Sequence, residues 1–313
     1  IMAFAGIDIG YGFTKVVFGS NNENLIFQTT VSKHVRSEKI FNRAPEVISV
    51  NGQEYLVGPE TTPSWKVNKE FVGSNEYFAV IGYCLSQIYK RNINLSGIAL
   101  GLPPALFNER KIILLRNALE KNELKLNKTF LPVPDKISFI PQGVGAYVDF
   151  LVNNPDYQGQ SVIVIDIGYY TLDVIFIDKG QFISHTAKSY PVGMEVLFSK
   201  ICDEVSNRYG DFVNNTIAEV ILQKGSFTYF DREYKFDASE ILRDYYIPKV
   251  TLKLKEYANF LRNEEFNLDS IKAIVVAGGG AVYLKNILED AIVLPEPQFA
   301  NARGYKIYIE QKG

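Results

Sequence analysis

The stretch AFAGIDIGYGFTKVVFG, residues 3–19, places Asp8 and two glycines between two apolar runs that are typical of β-strands. The same pattern returns as VIVIDIGYYTLDVIFID, residues 162–178. From Asp8 and from Asp166, six of the eleven residues are identical at an offset of 158 positions. Because 313 residues exceed what one hydrophobic core usually supports, we expect two domains, each with one copy of this hairpin.

Composition narrows the class of protein. Hydrophobic residues make up 47% and charged residues 22%, which is typical of a folded domain with a substantial core. The net charge of −2, with no block of like charge, disfavours direct binding to nucleic acid. Cys84 and Cys202 have no metal-ligand spacing and favour a reducing, cytoplasmic setting. The N-terminal apolar run meets Asp8 almost at once, so it predicts neither a signal peptide nor a membrane span.

Each acidic hairpin has features of a phosphate-binding turn. The strand carries an aspartate to the end of a sheet, and the glycines that follow let backbone N–H groups approach an anion. Thr14 would add a hydroxyl donor and Lys15 a cation. Asp8 and Asp166 would repel bare phosphate, so the pair implies Mg²⁺, held through water. A single hairpin of this kind is more often a plain surface turn, but two copies favour the phosphate site.

Two further segments carry candidate residues. The strand IKAIVVA runs into Gly278, Gly279 and Gly280, and a helix is predicted at about 282–289, whose N-terminal end would suit a phosphate or ribose. Tyr283 stands where a dinucleotide motif needs its last glycine, which disfavours a Rossmann fold. In FIPQGVGA, Gln142 lies between a strand end and a helix start, where its amide would orient a water molecule. Helix capping is the alternative interpretation of Gln142.

Four motifs, DIGYGFTK, PQGVGA, DIGYYTLD and VVAGGGAVYL, resemble in their order those of the actin, sugar-kinase and Hsp70 ATPase superfamily. Within it, the compact length and the wording of DIGYGFTK, PQGVGA and PQFANARGY most resemble prokaryotic actin-like ATPases of the ParM/StbA plasmid-partition type and their archaeal relatives. The resemblance implies an α/β fold with two actin-like (ribonuclease H-like) domains, mixed five-stranded-type sheets and a nucleotide cleft between them. The implied domains are 1–150 and 151–298, with 299–313 returning to the first.

The resemblance also implies ATP or ADP and Mg²⁺ as cofactors. Residues 8–15 and 166–173 would form the two phosphate loops, 138–147 and 298–307 the interdomain connections, and 275–284 the adenosine segment. Asp8, Gln142 and Asp166 would be catalytic, and the two aspartates would also hold the metal through water. The implied nucleotide-binding residues are Gly10, Gly12, Phe13, Thr14, Lys15, Gly168, Tyr169, Tyr170, Thr171, Asp173, Gly193, Glu195, Gly278, Gly279, Gly280 and Tyr283.

The implied function is an ATPase that hydrolyses Mg-ATP to control its own assembly into head-to-tail filaments, in plasmid or DNA segregation. Its partners would be other copies of itself and a DNA-binding adaptor, with no direct contact to nucleic acid or membrane. Some ParM proteins carry Glu where this chain has Gln142, which leaves the subfamily open. The alternatives are a small-molecule kinase of the same superfold and a nucleotide-binding scaffold that does not polymerise.

Overall fold

The computed structural model describes residues 2–34, 45–61, 70–210, 213–229, 231–284 and 290–312. The chain divides into two compact units. Unit 1 comprises Ile1–Asp156 with Gln298–Gly313, and unit 2 comprises Tyr157–Pro297. From the sequence we expected the boundary between the two domains after residue 150. In the structure this residue lies inside a helix, Val144–Asn153.

The main sheet of unit 1 carries the first acidic hairpin. Its five strands stand in the order Lys136–Pro141 (β10), Leu95–Leu102 (β7), Ala3–Ile9 (β1), Phe13–Phe18 (β2) and Glu23–Gln28 (β3). Strand β1 pairs antiparallel with β2 and parallel with β7. From Phe4 to Ile9 every side chain of β1 is buried, so this apolar run lies in the centre of the sheet.

A second sheet and four α-helices are also present among the described residues of unit 1. The second sheet has the order Val31–Lys33 (β4), Gln53–Val57 (β6), Ile48–Val50 (β5), Leu124–Leu126 (β8) and Thr129–Phe130 (β9). The helices are Asn75–Tyr89 (α1), Glu109–Lys121 (α2), Val144–Asn153 (α3) and Ala300–Gln311 (α7). Side chains of Ser74 and Asn108 accept backbone hydrogen bonds and cap α1 and α2.

The main sheet of unit 2 repeats this topology around the second hairpin. Its order is Gln181–Phe182 (β13), Leu172–Asp178 (β12), Ser161–Ile167 (β11), Ile271–Ala277 (β17) and Ala291–Val293 (β18), with Lys188–Tyr190 (β14) also paired to β12. Strand β11 is antiparallel to β12 and parallel to β17, as β1 is to β2 and β7. The structure therefore confirms the predicted α/β fold of two units with mixed sheets, although this sheet has six strands rather than five.

Helices and a hairpin of unit 2 also lie outside that sheet. The helices are Met194–Tyr209 (α4), Asn215–Lys224 (α5) and Ile247–Asn263 (α6), and the hairpin joins Ser226–Tyr229 (β15) to Arg232–Lys235 (β16). A π-helical segment, Ile241–Tyr246, runs directly into α6. Pro248, which has no N–H, therefore lies just after a point where the α-helical hydrogen-bond pattern is already interrupted. None of the helices in the described ranges of either unit is long and apolar enough to cross a bilayer.

Candidate functional site

Asp8 is the centre of a small polar cluster in unit 1. Its side chain is buried near the end of β1, where the strand register places Lys15 directly opposite. Oδ1 of Asp8 accepts a hydrogen bond of 3.1 Å from Nε2 of Gln142, and Oδ2 lies 3.9 Å from Nζ of Lys15. Burial raises the pKa of Asp8 above its usual value, while the charge of Lys15 and the Gln142 hydrogen bond act in the opposite direction. A further cation beside this carboxylate would therefore be favourable.

The turn of the first hairpin is closed by a backbone hydrogen bond of 3.2 Å from Gly10 N to Phe13 O. Thr29 N donates to Gly12 O, which ties the turn to the chain beyond β3. The hydroxyl of Thr14 is buried and lies 2.9 Å from that of Thr29. Because side chains alternate along a strand, Thr14 and Lys15 face opposite sides of the sheet. Because the Thr14 side chain is fully buried, its hydroxyl is not exposed to a ligand.

The second hairpin closes in the same way, with Gly168 N donating to Thr171 O at 2.9 Å. Here the register places Asp166 opposite Asp173, where unit 1 has Asp8 opposite Lys15. The hydroxyl of Thr171 donates to Oδ2 of Asp173 at 2.9 Å. Like charges directly opposite each other destabilise a strand pair, so this end of β11 and β12 also favours a bound cation.

The N-terminus of α4 is bonded to the second turn. The backbone N–H groups of Gly193, Met194 and Glu195 donate to the carbonyl oxygens of residues 170, 168 and 169, at 3.1, 3.1 and 2.7 Å. An added Cβ at Gly193 would lie 2.5 Å from Thr171 N and overlap the Tyr169 carbonyl, so the approach requires glycine. The Glu195 carboxylate accepts from Ser199 Oγ within its own helix.

The triglycine segment packs against the same hairpin from β17. Gly278 has a φ of +86°, and a Cβ there would lie 2.6 Å from Ile167 N and overlap the Asp166 carboxylate. Gly280 N donates to Ile167 O, and Gly279 is exposed with open space beside it. A 3₁₀ turn, Ala281–Tyr283, follows in place of the start of the predicted α-helix, and residues 285–289 lie outside the described residues.

The structure adds polar residues that the sequence did not single out. Asn301 Oδ1 accepts hydrogen bonds from Gly143 N and Ala146 N, at 2.9 and 3.1 Å. Arg303 and Asp149 form a bidentate ion pair between α7 and α3. In unit 2, Asn215 Nδ2 donates to the hydroxyl of Tyr169, whose ring meets that of Tyr170 edge to face. Of these residues, Asn301 and Arg303 belong to the quoted motif PQFANARGY. Their partners lie more than 150 residues away in the chain, so no local sequence pattern predicts these contacts.

Each of the two hairpins carries groups that suit a magnesium nucleotide. Within the described ranges, no group of three or more His, Cys, Asp or Glu side chains is placed to hold a metal ion. Mg²⁺ usually keeps several waters and binds through one or two carboxylates with substrate phosphates. Asp8 and Asp166 are one such carboxylate in each unit, and in each unit a glycine turn adjoins it.

Two family models match the chain in succession. Residues 6–145 match the N-terminal domain of actin-like proteins, and residues 164–290 match the C-terminal domain of the archaeal MreB-like actin homologue. An archaeal actin homologue from Thermoplasma volcanium is 24% identical over 336 aligned positions, which cover 97% of this chain and 98% of that protein.

Solved structures show the same fold at low sequence identity. An archaeal actin homologue crystallised with ADP superposes with a TM-score of 0.76 at 21% identity, over 99% of this chain and 100% of the other. A protomer of a 15-stranded ParM filament from Clostridium botulinum gives 0.73 at 21% identity, over 99% of both chains. With its two halves matched in succession by models of actin-like proteins, the chain consists of actin-like family domains, and the solved structures share its fold.

Proposed function

We propose that this chain binds Mg-ATP through the Asp8 and Asp166 hairpins and hydrolyses it to control assembly into filaments. One observation carries the proposal: the same closed turn beside a strand-end aspartate occurs in both units, on sheets of the same topology. A strand-end carboxylate beside a glycine turn suits a hydrated divalent cation with phosphate, and its recurrence in both units supports a shared role. The archaeal homologue crystallised with ADP supports the choice of an adenine nucleotide as the ligand.

The residues of the Asp8 cluster have distinct roles in this proposal. An ionised Asp8 only accepts hydrogen bonds, so the Gln142 amide must turn its Nε2 towards Asp8 and leave Oε1 free of that contact. Oε1 would accept a proton of the attacking water and orient it, because an amide is too weak a base to remove that proton. Lys15 would bind phosphate oxygen, and Mg²⁺, when bound, would neutralise phosphate charge.

The residues of unit 2 would make contacts of their own to the nucleotide and its metal. Asp166 would bind the metal through water, while the backbone of residues 168–171 would contact phosphate. Gly193, Glu195, Gly279 and Tyr283 would contribute to ribose and base binding. Tyr170 is 37% exposed beside this turn, so its ring is available to a ligand.

Assembly would follow from nucleotide binding. Copies of the chain would add head to tail, since heterologous contacts that do not close give open filaments. Hydrolysis would remove contacts to the γ-phosphate and favour disassembly. The ParM filament supports self-association, and a DNA-binding adaptor would link such a filament to plasmid or other DNA in the cytoplasm.

Phosphate release tests the proposal. The purified chain should release phosphate from ATP in a Mg²⁺-dependent manner, and Asp166→Ala should reduce the rate at least a hundredfold, as expected for loss of a charge-stabilising group. Asp203→Ala, which removes an exposed aspartate on α4 of the same unit, is the matched control and should keep the wild-type rate. Wild-type turnover by Asp166→Ala would remove this carboxylate from the metal site.

A further inference from the structure

The segment that carries Gln142 is held from both sides by unit 1. On one side, Gln142 N donates to Leu102 O of β7 at 2.8 Å. On the other, Gly143 N and Ala146 N both donate to the side chain of Asn301, which belongs to α7 and lies 158 residues further along the chain. The three contacts fix the backbone immediately before and after the Gln142 side chain.

Asn301 supplies the helix cap that α3 cannot supply for itself. The N-cap position of α3 is Gly143, which has a φ of +83° and no side chain with which to accept the N–H of Ala146. Asn301 is 4% exposed, so no bulk water is available to replace its oxygen. Removal of that oxygen would leave two N–H groups without this acceptor in a buried site.

The packing of α3 on α7 gives this cap little freedom. An added Cβ at Gly145 would lie 2.6 Å from the Asn301 carbonyl, and one at Gly304 would overlap the Gly145 carbonyl. The Arg303 to Asp149 ion pair joins the same two helices further along. Because the two backbones are in direct contact, α7 sets the position at which α3 begins.

We infer that Asn301 is a positioning residue for Gln142: it fixes the start of α3 so that the Gln142 amide meets Asp8 and presents its oxygen to the attacking water. This inference rests on the proposed hydrolysis for its effect on rate. The effect of Asn301 on the position of the Gln142 side chain does not depend on nucleotide, and it can be measured separately by NMR.

The test compares Asn301→Leu, which removes the acceptor at similar volume, with Asn301→Asp, which keeps it. Arg303→Lys is the control, because it weakens the α3 to α7 contact without touching the cap. We expect Asn301→Leu to lower kcat for ATP about tenfold, in line with the loss of a cap, with ADP affinity within about twofold of wild type. Asn301→Asp should restore kcat, and Arg303→Lys should lower Tm without lowering kcat.

The second arm follows the side-chain amide of Gln142 by ¹⁵N NMR in the nucleotide-free protein. The Gln142 signals should shift or broaden in Asn301→Leu and return in Asn301→Asp. Unchanged signals in Asn301→Leu would overturn the inference, whether or not the protein hydrolyses ATP. Equal losses of kcat in Asn301→Leu and Arg303→Lys would also overturn it, since they would make Asn301 one more packing residue. A wild type that fails to hydrolyse ATP would reject the proposed function and leave the NMR arm to decide on Asn301.

Discussion

Asp8→Asn separates the stability cost of this side chain from its role in binding. The ion pair with Lys15, at 3.9 Å, is worth about 4 kcal/mol at an effective dielectric constant of about 20. Burying a carboxylate costs several kcal/mol, and the raised pKa of Asp8 shows that burial outweighs both Lys15 and Gln142. Asparagine removes the charge but keeps an oxygen that accepts from Gln142.

Removal of one member of a buried ion pair usually destabilises a protein, because it leaves the other charge unpaired. Lys15 is only partly buried, however, and the raised pKa of Asp8 means that ionisation of this carboxylate costs folding free energy. We therefore expect a small net gain in folding free energy from Asp8→Asn, about 1 kcal/mol. In a unit of this size that raises Tm by about 2 to 4 °C in the absence of nucleotide. The same variant should lose the Mg²⁺-dependent part of its ADP affinity, since a neutral amide no longer attracts the cation.

The stability that Asp8→Asn gains over the wild type should depend on pH with a defined sign. The pKa of Asp8 in the folded protein lies above the unfolded value of 3.8, so ionisation of Asp8 costs folding free energy. The wild type therefore loses stability relative to Asp8→Asn as pH rises through the folded-state pKa. Below about pH 3.8 the carboxyl is protonated in both states and the difference disappears.

Calorimetric unfolding and ADP titration measure both effects, with Asp149→Asn as the matched control. Asp149 is equally buried, but Arg303 donates to both of its oxygens at 2.8 and 2.9 Å. Burial raises the pKa of Asp149 as well, but an asparagine at this position offers Arg303 one acceptor oxygen in place of two, so one charged hydrogen bond is lost. This loss should cost about 2 kcal/mol and lower Tm by about 4 to 8 °C, with ADP affinity unchanged. If Asp8→Asn lowers Tm as Asp149→Asn does, or keeps full Mg²⁺-dependent affinity, then Asp8 is an ordinary structural residue.

Three further substitutions, one of them with a matched control, have definite expected outcomes. Gly304→Ala should destabilise unit 1 by about 2 kcal/mol in calorimetry, because its overlap with a backbone carbonyl outweighs the helix propensity gained. The control is Gly82→Ala, whose closest contact would be the Ile48 methyl at 2.9 Å and which should cost under about 1 kcal/mol; equal costs would refute the close helix contact. Gln142→Ala should slow phosphate release at least tenfold and prolong the light-scattering plateau with ATP binding retained, whereas equal loss of binding and turnover would make Gln142 a structural residue. Gly193→Ala should weaken ADP binding more than tenfold by displacing residues 169–171, and wild-type affinity would contradict the contact of α4 with this turn.

The two hairpins were predictable because all their determinants are local. Each apolar run is a buried strand, and the glycine closes the turn within four residues, so sequence and structure agree at both Asp8 and Asp166. The short strands of the second sheet in unit 1 were harder to predict. Two-residue and three-residue strands such as Thr129–Phe130 are defined by partners far along the chain, with no periodic signal of their own.

The support around the site was not predictable for the same reason. Asn301 contacts α3 across 158 residues, and nothing near PQFANARGY distinguishes a capping asparagine from a surface one. The orientation of Thr14, in contrast, was predictable from the sequence. Because side chains alternate along a strand, Thr14 and its neighbour Lys15 must lie on opposite faces of the sheet. The triglycine segment was predicted to open a helix, but the 3₁₀ turn at Ala281–Tyr283 depends on packing against Ile167 that the local sequence does not encode.

Light scattering of the purified chain on addition of Mg-ATP, followed until the nucleotide is exhausted, tests the central claim most directly. The account predicts a rise as filaments form and a decay as ATP is consumed, with neither in the presence of EDTA. A flat trace, with nucleotide bound and phosphate released, would contradict filament assembly and favour an actin-like fold used for other chemistry.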